Sequence, residues 1–227
     1  MAYDHGSKRV QQRRQFLSNG RDPAQCFDNV GVLWCFGVFD GQRLESELLR
    51  DAGRRYAELY WSMFGTAAAK TGNLELVSRA TGQMTTIETE ASVIREGIFR
   101  LWDETLVNTG RKARKVVHQV CVNQHGVMFP AWMHEMINEF HQRTIHSRSR
   151  ISELSLRKRQ AKNQKEKSSC DSAMSRERGK IRQAWISCSE AYSKELLSLN
   201  LGLLAIGDQF EGRWKAEKLK RKGVDKA

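Results

Sequence analysis

Residues 181–214 read IRQAWISCSEAYSKELLSLNLGLLAIGDQFEGRW, and the spacing of apolar side chains in this stretch decides the fold class. Ile181, Trp185, Cys188, Tyr192, Leu196, Leu199, Leu203, Ile206, Phe210 and Trp214 follow one another at intervals of three or four. Thirty-three residues in nine steps give about 3.67 residues per step, the period of an eleven-residue repeat and close to that of a straight α-helix. The stretch therefore predicts one long amphipathic helix. Gly202, Gly207 and Gly212 lie off the stripe, each costing about 1 kcal/mol relative to alanine in a helix interior. If the helix breaks, Asn200-Leu201-Gly202 is where the break is expected.

Immediately upstream the composition changes. Between Arg157 and Ser172 the only apolar side chains are Ala161 and Cys170, both small, so the segment lacks a core-forming face. Its Lys, Arg, Gln, Glu and Ala are good helix formers, which leaves an exposed charged helix or a disordered linker. Charge is concentrated here. The chain has 38 Lys and Arg against 26 Asp and Glu, a formal net charge of +12. Residues 1–110 hold 13 basic and 14 acidic side chains, and residues 111–227 hold 25 and 12. The excess gathers at Arg111, Lys112, Arg114 and Lys115, along the stretch from Arg143 to Lys167, and in a tail with Lys218, Lys220, Arg221 and Lys222. Such a distribution favours polyanionic partners, with a solvated helix face as the alternative. The residues expected to contact phosphates are Arg148, Arg150, Arg157, Lys158, Arg159, Lys162, Lys165 and Lys167.

Earlier segments also read as helical. Asp22-Pro23 is a cap followed by proline at the first helical position, and the apolar run from Cys26 to Val38 predicts a buried helix ended by Asp40-Gly41. A second helix is predicted from Leu44 to Phe64, through Leu48, Ala52, Tyr56, Leu59, Tyr60 and Met63. Residues 65–86, with Gly65, Gly72 and Gly82, read as a loop or one short helix around Leu74–Ala80. Helical period returns from Ile87 to Leu106, resumes over 111–123, and starts again after Pro130 through Trp132, Met133, Met136, Ile137, Phe140 and Ile145. The chain is thus expected to be all-α, with a basic N-terminal arm over 1–20, a core of about five helices over 21–146, a basic helix or linker over 147–180, and the amphipathic helix with its basic tail over 181–227.

Sites for small-molecule chemistry are scarce. Gly37 to Gly41 lacks both the downstream Lys-Ser/Thr and the preceding strand of a phosphate-binding loop, and His134-Glu135 lacks a second histidine one turn on, because position 138 is Asn. His118, Cys121, His134 and His141 share helical faces in pairs, which makes a four-ligand metal site conceivable; packing roles are the alternative. Five cysteines are an odd number without a Cys-x-x-Cys pair and read as reduced packing residues. Arg54, Arg55, Tyr56, Tyr60 and Trp61 mix cations with aromatics as a base-stacking surface does, but their helical spacing favours one core face. Val122 and Gly126 fit a helix-turn-helix spacing around Gln124-His125-Gly126, yet the second helix presents Glu135 and Glu139 where a basic face is needed.

No metal or cofactor is called for. The expected partners are nucleic acid and, through Trp185, Tyr192, Leu196, Leu199, Leu203 and Phe210, a second copy or another helical protein. Without a long apolar run, a membrane partner is not expected, and the protein is expected in the cytoplasm of a bacterial or phage-infected cell. Arg21-Asp22-Pro23-Ala24-Gln25-Cys26-Phe27-Asp28 and Asp51-Ala52-Gly53-Arg54-Arg55-Tyr56-Ala57-Glu58-Leu59-Tyr60-Trp61 resemble uncharacterised proteins of phages and prophages in alphaproteobacteria. The resemblance spans residues 21–64 and implies a phage or mobile-element context without a catalytic motif.

Overall fold

The computed structural model describes residues 7–64, 86–122 and 129–224, without the side chains of 86–89 and 220–224. Among these residues the chain is all helical, with eight α-helices, one 3-10 turn and no strand. The helices are α1 (Lys8–Leu17), α2 (Asn29–Cys35), α3 (Ser46–Phe64), α4 (Thr86–Thr109), α5 (Arg111–Cys121), α6 (Ala131–Gln160), α7 (Gln164–Ala191) and α8 (Ser193–Val224). The loop or short helix expected over 65–86 lies outside the described residues, apart from Thr86.

Contacts divide the chain into two compact units. One comprises residues 1–127 with 197–227, and the other residues 128–196. The expected five-helix core over 21–146 does not describe this division. The helix starting at Ala131 belongs with α7, and the C-terminal helix from Leu197 belongs with the first unit. The boundary expected between residues 146 and 147 falls inside a helix, since α6 runs on to Gln160.

The apolar run after Pro23 departs from the single helix its composition predicts. Asp22 accepts the amide of Ala24 at 2.9 Å and caps only the 3-10 turn Pro23–Gln25. Asp28 then caps a new helix by accepting the amide of Gly31. That helix, α2, stops before Asp40-Gly41 because Gly37 takes φ +78°. Val38 N–H donates to Leu33 O at 3.1 Å and Gly37 N–H to Trp34 O at 2.9 Å, the paired bonds of a Schellman end.

In the first unit the buried face of α3 carries Leu48, Leu49, Ala52, Tyr56 and Leu59, that of α5 Val116, Val117, Val120 and Cys121, and that of α4 Phe99, Trp102 and Leu106. Leu199, Leu203, Ile206, Phe210 and Trp214 of α8 are buried with them. Glycines allow this closeness. A Cβ at Gly202 would lie 2.6 Å from Val117 Cγ2, and one at Gly207 would lie 2.9 Å from Leu44 Cδ1. Thus two glycines that read as costs in a helix interior are places where other side chains approach closely. Two polar side chains here are paired: Tyr56 O–H donates to Asp103 at 3.2 Å, and Trp214 Nε1 donates to Asp51 at 3.0 Å.

The helix predicted over 181–214 is divided, though not at Asn200–Gly202. Tyr192, at φ −110° and ψ 21°, leaves the helical conformation for one residue, and Glu195 and Leu196 then donate their amides to its carbonyl. The first half of the stripe therefore belongs to α7 and the second half to α8.

Candidate nucleic-acid interface

The second unit is built on a hairpin of α6 and α7. Arg143 donates to Ser187 Oγ at 2.8 Å at one end, Phe140 and Trp185 meet edge to face at 5.4 Å, and Lys158 pairs with Asp171 at 2.7 Å near the turn. Buried Leu154, Cys170 and Met174 lie on the segments that approach this turn. Asn163 closes it: its side chain accepts Glu166 N–H at 2.8 Å and donates back to Glu166 Oε1 at 3.1 Å.

This turn gathers charge. Arg157, Lys158 and Arg159 occupy the last turn of α6, Lys162 the connection, and Lys165 and Lys167 the first turn of α7. Glu166 is the one carboxylate between positions 157 and 167. Lys158 is paired with Asp171, whereas Arg157, Arg159, Lys162, Lys165 and Lys167 have no ion pair among the described residues. The cations ending α6 sit where the helix dipole is negative, so they have a local stabilising reason. Lys165 and Lys167 sit at the positive end of α7, where a cation is disfavoured and only Glu166 compensates. Their placement raises positive potential at the cost of local stability.

Two expected residues are elsewhere. Arg148 lies 5.4 Å over the Phe140 ring and donates to Thr144 Oγ1 at 3.2 Å, and burial pushes its guanidinium below the ordinary value. It is a packing cation. Arg150 is exposed, pairs with Glu153 at 2.9 Å, and stands ten residues, about 15 Å along the helix, before Gln160. The sequence reading passed over Arg176, Arg178 and Arg182, which are exposed with Lys180 on α7. Their signal was visible as four cations at alternate positions from 176 to 182. Glu177 is held below its usual carboxylate range by hydrogen bonds from Lys180 and Ser147, and by the nearby charges of Lys180 and Arg150.

The other candidates resolve into packing. Tyr56 is fully buried and stacks on Phe99 at 5.6 Å, while Tyr60 meets His118 edge-on at 4.8 Å. Arg54 pairs with Asp28 at 2.7 Å and Arg55 with Glu58 at 2.9 Å. Arg54, Arg55 and Trp214 line a cleft of about 550 Å³ with Arg50, Asp51 and Lys218, whose cations likewise pair with carboxylates.

His118 and Cys121 belong to the first unit, and His134 and His141 to the second. Among the described residues no three or more His, Cys, Asp or Glu side chains are grouped to hold a metal. Burial lowers His118 and raises Cys121 from their ordinary values, disfavouring the charged form of each. The expected turn at Gln124-His125-Gly126 lies outside the described residues.

The residues expected to form a partner surface do not share one exposed face. Trp185 packs on Phe140, Tyr192 bonds Glu135, Leu196 is buried, and Leu199, Leu203 and Phe210 are core side chains. Among the described residues no helix is long and apolar enough to cross a membrane. In comparisons with protein-family models, curated proteins and solved structures, nothing matches this chain.

Proposed function

We propose that the protein binds duplex nucleic acid through the turn of the α6–α7 hairpin, contacting phosphates without strong base specificity. The observation that carries this reading is the placement of Lys165 and Lys167 against the dipole of α7, beside Arg157, Arg159 and Lys162. Five cations with no ion pair among the described residues lie along the hairpin turn, from the last turn of α6 through the connection to the first turn of α7. Duplex is favoured over single strands because no Phe, Tyr or Trp occurs between Phe140 and Trp185 on which bases could stack. With this reading goes the setting that the resemblance of residues 21–64 implies, a phage or mobile element in a bacterial cell. The other reading, an adaptor acting through helix association, rests on the 181–214 stripe. It is weaker because the apolar positions from Leu199 to Trp214 are occupied in the first unit.

The test changes Arg157, Arg159, Lys162, Lys165 and Lys167 to Gln together, leaving the Lys158–Asp171 bridge and the Asn163–Glu166 cap in place. Each phosphate contact contributes about 0.9 to the slope of log affinity against log salt. Removal of five contacts should flatten that slope by about 4 to 5. Unchanged circular dichroism with an unchanged slope would reject the site.

A further inference from the structure

Cys26 and Cys35 stand nine positions apart in sequence, and Cys26 Sγ donates to Cys35 Sγ across 3.4 Å. Both are buried, at 6% and 2% exposure. The backbone explains the meeting. Gly31 and Cys35 stand one turn apart on the same face of α2. At Gly31 the missing side chain admits the carbonyl of Gln25, which would lie 1.7 Å from a Cβ placed there. Cys26 follows Gln25 and so lies beside Cys35.

Arg54 holds the arrangement from outside. It donates to the Gln25 carbonyl and to Gln25 Oε1, each at 3.0 Å, and to Asp28 Oδ2 at 2.7 Å, while its guanidinium covers Phe27 at 4.3 Å. A disulfide bond measures about 2.05 Å, so an approach of about 1.4 Å joins the sulfurs. Electrostatics prepares one of the two. The thiol proton given by Cys26 holds Cys35 below the ordinary thiol value, with help from the charges of Arg21 and Arg50 and against burial and Asp22. The hydrogen bond, burial and the charges of Asp28 and Asp22 raise Cys26. Arg21 and Arg50 reach this place by lying over the Trp34 ring at 4.8 and 4.9 Å.

We propose that Cys26 and Cys35 form a reversible disulfide, oxidised by a peroxide, that ties α2 to the 3-10 turn. Cys35 Sγ, as thiolate, attacks one oxygen of hydrogen peroxide; the O–O bond breaks and hydroxide leaves, taking up the proton that Cys26 shared and so forming the first water. Cys26 Sγ then attacks the Cys35 sulfenic sulfur, the S–O bond breaks, and the departing hydroxide becomes water with the proton that Cys35 released on ionising. Two thiols and one hydrogen peroxide give one disulfide and two waters. A dithiol reverses the bond by exchange, being oxidised itself. The small size of hydrogen peroxide suits a pair this buried.

The test uses the full-length protein with hydrogen peroxide, followed by denaturation, alkylation and tryptic mass mapping. No Lys or Arg falls between Asp22 and Gln42, so one tryptic peptide, 22–43, carries both cysteines. That peptide should become lighter by two hydrogens, two of the five thiols should escape alkylation, and dithiothreitol should restore both. Cys121 and Cys188, whose thiols burial pushes up, should still alkylate. The proposal is overturned if Cys26 and Cys35 both still alkylate. It is equally overturned if either ends as a sulfinic acid or bonded to another cysteine.

Discussion

Two glycines ten residues apart in α8 should respond to alanine with opposite signs. At Gly202 the new Cβ would meet Val117 Cγ2 at 2.6 Å and Leu106 Cδ2 at 3.1 Å. Val117 is fully buried and β-branched, so its methyl has no alternative rotamer to take, and relief requires α5 to shift. Overpacking of this kind costs about 1–3 kcal/mol, against about 1 kcal/mol gained by replacing a helical glycine. The expected net loss is about 1 kcal/mol, with about 2 kcal/mol at the upper end. At Gly212 nothing lies within 4 Å of the new Cβ, and the helix gain of about 0.5–1 kcal/mol stands alone. Urea unfolding of both variants, followed by far-ultraviolet circular dichroism, reads the two signs directly. If Gly202→Ala stabilised the protein as much as Gly212→Ala, α8 would not be packed on α5 as described.

Three further outcomes follow from the core and its polar contacts. Leu203→Ala removes a fully buried side chain, so it should cost about 2–5 kcal/mol in urea unfolding, and it should leave the mass in solution unchanged if α8 serves folding rather than association. Tyr56→Phe loses one hydrogen bond and should cost about 1 kcal/mol, whereas Asp103→Ala should cost more, since it also strands Arg114, which donates to Asp103 at 2.7 and 2.9 Å. The folded-state value of His118 is lowered by burial and then by the Arg114 charge, with Asp103 opposing, so its contribution to stability is complete above the ordinary value of 6.5 and is lost as pH falls through the lowered one. Thermal unfolding from pH 8 to pH 5 should therefore show a decline that His118→Gln reduces.

Helices with a clean buried face were legible in the sequence. Val116, Val117, Val120 and Cys121 mark α5 by spacing alone, and Gly110, at φ +139°, separates it from α4 in the gap between Leu106 and residue 111 where the helical period lapses. The break at Tyr192 was not legible, because one residue leaving the helix preserves the three- and four-residue intervals on either side. Burial around Gly202 and Gly207 was hidden for another reason: a glycine records the absence of a side chain, not the presence of a neighbour. At the candidate interface the opposite holds. Asn163 and Glu166, three apart, are a capping-box pair that marks the start of α7 and so the hairpin turn, which composition alone left between helix and linker. With that turn placed, the clustering of Lys162, Lys165 and Lys167 beside Arg157 and Arg159 follows from connectivity. The nearness of Cys26 and Cys35 had no sequence signal, since it depends on the α2 start at Asp28 and the close approach at Gly31.

The most direct test of nucleic-acid binding is a fluorescence-anisotropy titration of the intact protein with random-sequence duplex and with single-stranded DNA of equal length, at 50 and 200 mM salt. With five or six phosphates contacted by the turn between Arg157 and Lys167, duplex affinity should fall by roughly a thousandfold over that range. Duplex should bind more tightly than the single strand at the lower salt. Absence of binding at 50 mM, or an affinity that salt does not change, would contradict the account.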